Sequence, residues 1–271
     1  MDTDNLIKAA LKEDIGTGDI TTEAIFRYDI TVEAYITAKQ DGIVSGLDIA
    51  EKAFKALDKD IAFEKLKKDT DRVKKGEDIA KITGSAKTIL KAERTALNFL
   101  GHLSGIATYT NEFTRLCKNA QVLDTRKTTP LLRELEKYAV RCGGGKNHRS
   151  GLYDMILIKD NHIKAAVGIK NALRLAKEIP GKKIEIECTT IEEVSDVLKD
   201  GSADIIMLDN MTTVEMKKAV KLIDRRAKTE ASGGVNLDNI SEIDKTGVDY
   251  ISVGAITSSA PRFDYSLKIR T

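Results

Sequence analysis

From residue 121 onward the chain repeats one unit: a short apolar run, a polar or glycine-bearing break, then a stretch with helical spacing. No other feature constrains the fold as strongly, because strands alternating with helices build parallel sheets. The apolar runs fall at 122–125, 139–142, 155–158, 184–187, 205–208, 229–232 and 250–253. Helical spacing falls between most of them, at 131–138, 163–178, 191–199, 214–224 and 237–245. The runs are mostly apolar on both faces, as buried parallel strands are. Seven such strands predict an α/β barrel one strand short of the eightfold form. A doubly wound open sheet is the alternative.

Residues 1–103 read differently. Alternating runs at 31–36, 42–46 and 61–64 predict strands, and a turn at 73–77 opens another strand at 78–83. Ile49, Ala50, Ala53, Phe54 and Leu57 share one face of a helix over 47–57. The fold class expected is therefore α/β: an N-terminal open sandwich domain, then a barrel domain over 104–271 whose last residues return to the first domain. A long helix over 88–116 bridges the two, with a break near Gly101 to Gly105, where the paired glycines would let another helix approach. The Lys74-Lys75-Gly76-Glu77 turn is weakly similar to lipoyl- and biotinyl-carrier hairpins, but the modified lysine's usual neighbour Met is missing.

Composition narrows the function. The chain has 41% apolar residues, 32% charged residues and a net charge of only +2, which gives no general reason to expect nucleic acid. No apolar run reaches membrane-spanning length, and the acidic, polar start is unlike a signal peptide. Cys117, Cys142 and Cys188 are odd in number and widely spaced, so they suit neither a disulfide framework nor a zinc site. A cytoplasmic, reduced protein is expected.

The small net charge hides a concentration. Residues 121–164 hold nine Lys/Arg against five Asp/Glu, while the rest of the chain is net negative. Within that span, Arg126, Lys127, His148, Arg149 and Lys159 lie at or just beyond expected strand ends, where barrel enzymes hold their active sites. Five potential cations suit a small polyanion. Later strands end in Glu187, Asp209, Ser232-Gly233-Gly234 and Gly254-Ala255. Glycine-rich turns after the last two strands suit a phosphate bound by backbone N–H groups. Glu187 and Asp209 offer oxygen ligands on neighbouring strands, which beside a phosphate suit Mg²⁺; a structural pair neutralising the cations is the alternative.

Ordered motifs then carry a resemblance: 13–22 (EDIGTGDITT), 93–98 (ERTALN), 102–108 (HLSGIAT), 124–128 (DTRKT), 159–162 (KDNH) and 230–234 (EASGG). With them the chain resembles the quinolinate phosphoribosyltransferase family over nearly its whole length. The resemblance implies the sandwich-plus-barrel architecture, assembled as homodimers with shared active sites or as hexamers of dimers. It implies that Arg126, Lys127, His148, Arg149 and Lys159 bind quinolinate and 5-phosphoribosyl-1-pyrophosphate, and that Arg94 reaches into the neighbouring subunit's site. By the same resemblance Lys127, Lys159, Glu187 and Asp209 are catalytic, Glu187 and Asp209 hold the Mg²⁺-pyrophosphate, and Ser232, Gly233, Gly234 and Gly254 cradle the 5′-phosphate. One departure is Cys188, directly after Glu187, where an apolar or acidic residue is more usual.

The implied reaction belongs to de novo NAD biosynthesis. Phosphoribosyl transfer to quinolinate, with decarboxylation, gives nicotinate mononucleotide, pyrophosphate and CO₂. An aldolase-type barrel with Lys159 as Schiff-base lysine is a competing enzyme reading. A non-catalytic phosphometabolite-binding protein is a competitor from another class.

Overall fold

In the computed structural model, which describes residues 2–270, the chain forms two compact units. The first comprises the chain up to Tyr109, Arg141–Gly143 and the segment from Ala260 on. It begins with α1 (Thr3–Ile15) and α2 (Ile20–Ile25), two helices the periodicity did not announce. There follow β1 (Thr31–Ala38), β2 (Gly42–Ile43), α3 (Leu47–Leu57), β3 (Ala62–Lys65), β4 (Arg72–Val73), β5 (Asp78–Ser85) and α4 (Ala86–Leu116). With the last strand, β12 (Tyr265–Arg270), they make an antiparallel sheet in the order β12-β1-β5-β3, while β2 pairs with β4. Alternation places Ala34, Ile36 and Ala38 of β1 in the core. Ile79 and Ile82 of β5 and Ala50, Ala53 and Phe54 of α3 are fully buried as well.

The helix α4 is unbroken. Ile89, Ala92, Ala96, Leu100, Leu103 and Ala107 recur at three- and four-residue steps and are all buried, so one apolar stripe holds it together through its glycines. Gly101 serves a close approach, but not by a helix: the extended segment at Phe263 lies against it. A Cβ there would come within 2.6 Å of the Phe263 carbonyl oxygen, and the Phe263 N–H donates to the Gly101 carbonyl.

The second unit comprises Thr110–Val140 and Gly144–Ser259. Its strands are β6 (Gln121–Leu123), β7 (Ile156–Ile158), β8 (Ile184–Cys188), β9 (Ile205–Asp209), β10 (Lys228–Ser232) and β11 (Tyr250–Ser252). All pair in parallel, in the order β6-β11-β10-β9-β8-β7. The first strand of the unit thus lies beside the last, the cyclic order of an α/β barrel. The helices are α5 (Arg133–Cys142), α6 (Asp160–Ala165), α7 (Ile169–Ala176), α8 (Ile191–Asp200), α9 (Thr213–Ile223), α10 (Ile240–Asp244) and α11 (Ala255–Ser258).

Two expectations are corrected. The sheet has six strands, not seven, because 139–142 is the end of α5. Glu136, Ala139 and Val140 are buried at helical intervals, and an apolar run this short does not by itself distinguish strand from helix. The place beside β6 is taken by a single parallel bridge between Leu123 and Lys146. The helix expected over 163–178 is two helices, divided where Val167 and Gly168 take positive φ of 59° and 121°.

Candidate active site

Each strand of the second unit turns alternate side chains inward. On β8 these are Glu185 and Glu187, on β9 Met207 and Asp209, on β10 Glu230 and Ser232, and on β11 Ser252. Register sets their levels: Glu187 pairs with Met207, and Asp209 with Ser232. Cys188 falls on the opposite face, fully buried, its thiol pushed up to about 12 by burial, so the departure beside Glu187 does not enter the site.

At the C-terminal ends of the strands lies a cavity of about 710 Å³. Its lining includes ten residues expected from the sequence: Arg126, Lys127, His148, Arg149, Lys159, Glu187, Asp209, Ser232, Gly233 and Gly234. Gly254 also lines it. A Cβ there would meet Lys127 Cδ at 2.9 Å, so the bare glycine lets the lysine stem lie over the start of α11. Ser232 ends β10 and Gly233 and Gly234 follow in a loop, with α10 starting only at Ile240, so this turn is not itself a helix start. Arg94 does not line the cavity; it is exposed on α4, in the first unit.

The charges are arranged in two layers. At the mouth, Lys159 Nζ pairs with Glu187, the lysine half-exposed and the carboxylate mostly covered. Asp209 accepts a 2.9 Å hydrogen bond from Asn210 Nδ2. Arg149 donates to the Met155 carbonyl at 3.2 Å. Its pKa is lowered, first by burial and then by the like charge of Arg126. Two guanidiniums held close enough to repel each other favour an anion between them.

Deeper, His148 meets two glutamates that sequence reading passed over as site residues. Its Nε2 lies 3.0 Å from Glu185 and 3.6 Å from Glu230, and both glutamates have zero exposure. The contacts are near enough for charge but poorly directed, so all four carboxyl oxygens are buried without a well-formed donor. Burial, then the neighbouring Glu185, raises the Glu230 pKa to about 8. Burial pulls His148 down, but the contact with Glu185 and the charges of both glutamates leave it raised. These three groups lie within 4.8 Å of one another, a spacing that suits a metal. The histidine argues otherwise: its Nδ1 accepts the Arg149 N–H at 2.7 Å, so the ring proton sits on Nε2 and faces the carboxyls. A signal was available, because period-two alternation turns Glu185 inward with Glu187, and Glu230 with Ser232.

Glu187 and Asp209, by contrast, offer hard oxygen donors on neighbouring strands at the open end, beside hydroxyl and amide oxygens of Ser232 and Asn210. That donor set fits Mg²⁺, which keeps most of its waters and takes one or two carboxylates.

Comparison with known proteins gives a consistent result. Residues 19–104 match the model for the quinolinate phosphoribosyl transferase N-terminal domain, and residues 106–268 the model for its C-terminal domain. The chain is 46% identical to a probable nicotinate-nucleotide pyrophosphorylase [carboxylating] of Bacillus subtilis (strain 168), covering 95% of this chain and 90% of that protein. It is 45% identical to the chloroplastic nicotinate-nucleotide pyrophosphorylase [carboxylating] of Arabidopsis thaliana, covering 98% of this chain and 82% of the relative. Its structure is similar to that of the nicotinate-nucleotide pyrophosphorylase of Francisella tularensis, with a TM-score of 0.95, 41% identity and coverage of 99% and 96% of the two chains.

Proposed function

The chain belongs to the quinolinate phosphoribosyl transferase family, and on that premise we propose that it transfers the phosphoribosyl group of 5-phosphoribosyl-1-pyrophosphate to quinolinate with loss of CO₂. The products are nicotinate mononucleotide and pyrophosphate, in de novo NAD biosynthesis. One observation carries the reading beyond family membership: Arg126, Lys127, Arg149 and Lys159 converge on one cavity with Glu187 and Asp209.

The residues divide the work by charge. Arg126 and Arg149 pair with the two quinolinate carboxylates and fix the ring nitrogen for attack on C1 of the ribose. Lys127, above Gly254, and the Ser232 to Gly234 turn hold the phosphoribose end. Lys159 stabilises charge that grows on the departing pyrophosphate. Mg²⁺, held by Glu187 and Asp209, would add neutralisation of that same charge. Once the C–N bond has formed and pyrophosphate has left, the C2–carboxylate bond breaks to release CO₂. The adjacent positive ring nitrogen stabilises the electron pair left on C2, and a proton from water takes up that pair, so no enzyme nucleophile is required.

The deciding assay supplies quinolinate and 5-phosphoribosyl-1-pyrophosphate and follows nicotinate mononucleotide, pyrophosphate and CO₂. Formation of all three supports the reading, and their absence with well-folded protein rejects it.

The site is further proposed to be shared between two copies of the chain, with Arg94 entering the partner's cavity. The support is that Arg94 is exposed on α4 and absent from the cavity of its own chain. A symmetric dimer would then have two equivalent sites. An Arg94→Ala chain mixed with a Lys159→Ala chain should regain activity that neither homodimer has, because one cavity keeps both groups. Proven heterodimers without recovered activity would remove Arg94 from the site. A cytoplasmic setting is proposed too, in keeping with three free cysteines. No described helix is long and apolar enough to cross a membrane.

A further inference from the structure

A buried ion pair stands behind the cavity without lining it. Asp124 has zero exposure, and the Lys137 side chain is 4% exposed. Lys137 Nζ contacts Asp124 Oδ1 and donates to the His148 carbonyl at 2.9 Å. The same Oδ1 accepts the His148 N–H at 2.9 Å. Asp124 Oδ2 accepts from Asn147 Nδ2 at 2.5 Å, and that amide also donates to the Lys137 carbonyl at 2.9 Å. The Asp124 N–H donates to the Lys146 carbonyl at 3.1 Å, and the Lys146 N–H to the Val122 carbonyl at 2.9 Å. Three consecutive residues, 146 to 148, are thus tied to the end of β6 and to α5.

What this clamp joins gives it meaning. Asp124 runs directly into Thr125, Arg126 and Lys127, and His148 into Arg149, all of which line the cavity. The two segments are more than twenty residues apart in sequence, and the pairing between them is a single β-bridge, from Leu123 to Lys146. A short bridge leaves register and tilt loosely set, whereas charged groups making several directed bonds set both. A buried ion pair is poor evidence for stability, since apolar replacements of similar volume are often neutral. Its retention here needs another reason, and geometry supplies one.

We propose that Asp124 and Lys137 are positioning residues, which set the spacing between Arg126 and Arg149 and so the fit of the cavity to a dicarboxylate. This rests on the function proposed above. The test uses the full-length protein with Lys137→Met, Lys137→Arg and the double change Asp124→Leu with Lys137→Met. Melting temperature and the KM for each substrate are measured. The double variant should stay folded with a Tm near that of the unaltered protein. Its KM for quinolinate should rise tenfold or more, with the KM for 5-phosphoribosyl-1-pyrophosphate changed less than threefold. Lys137→Arg should restore most of the affinity for quinolinate. If the apolar variants do not fold, Asn147→Ala removes one tie of the clamp and should show the same split at several-fold. Unchanged KM for quinolinate in a folded variant overturns the inference, as does an equal rise for both substrates. The unaltered protein is assayed alongside. Turnover there with no split in the variants sinks this inference alone, whereas no turnover at all sinks the functional reading with it.

Discussion

The two units bury different kinds of polar group. In the first, the buried polar residues among those described are Thr22, Thr37, Ser45, Thr95 and Ser104, hydroxyls only. A neutral hydroxyl is cheap to bury: Ser104 Oγ accepts from the Ser45 N–H at 2.9 Å and donates to the Ser45 carbonyl at 3.0 Å, while the Ser45 Oγ is buried without a partner among the described residues. In the second, Asp124, Glu136, Lys137, Glu185, Glu230 and Asp244 are all buried. Asp244 alone accepts three backbone N–H groups, from Lys118, Asn119 and Ala120. Removing charge from water is expensive even when it is paired. A unit that does so repeatedly, beside a cavity, is shaped by binding and chemistry. A unit that buries only hydroxyls is shaped by packing, and its charges stay at the surface in pairs such as Lys52–Asp4.

Changes in the cavity of the second unit should have the largest effect and should spare the fold. Glu187→Gln combined with Asp209→Asn should lower turnover by about 10³-fold or more, as loss of transition-state charge stabilisation does. Chelation of divalent cations should act in the same direction on the unaltered protein. Full activity of the double variant at ordinary Mg²⁺ would make these carboxylates structural, and the contrast between the units would lose its functional meaning.

A smaller effect should come from the buried carboxyl of Glu230 on the cavity lining, and it should depend on pH. Glu230 has a folded pKa of about 8 against an ordinary value of 4.5. The folded state therefore holds a proton that the unfolded state releases. That contribution to stability is fully present below about 4.5 and is lost as pH rises through about 8. The unaltered protein should lose stability on the order of a few kcal/mol between pH 5 and pH 9. Glu230→Gln should lose clearly less over the same range. Parallel melting curves against pH for the two proteins would show that Glu230 is ionised throughout.

The smallest effect belongs to the surface of the first unit. Lys52 and Asp4 lie 2.7 Å apart with about half of each side chain exposed. Lys52→Ala should move the Tm by no more than about a degree and leave both KM values alone. A large shift would mean that the first unit, too, depends on its charges.

Much of the architecture was legible in advance. The strands β8 and β9 lie within a residue of their expected bounds, because an alternating Ile-Glu-Ile-Glu stretch and a continuous apolar run, each flanked by helical spacing, have few other uses. The cavity cations were legible for a related reason: in a parallel sheet, strand ends share one rim, so sequence position translates into place. The helix at 139–142 was not legible, since three or four apolar residues satisfy either period. The length of α4 was obscured by Gly101 and Gly105, which serve the close passage of Phe263, a partner over 150 residues away.

By itself, then, the sequence determined the class of fold, the rim and its excess of positive charge, because each follows from local periodicity and from the order of strand ends. Tertiary structure alone decided which charges leave the solvent. Glu185 and Glu230 lie on strands separated by β9, and Asp124 meets Lys137, Asn147 and His148 only when α5 and the 146–148 segment fold back on β6. Period-two alternation turns Glu185 and Glu230 inward, but desolvation and directed hydrogen bonds depend on what surrounds a group in three dimensions, which spacing along the chain does not fix.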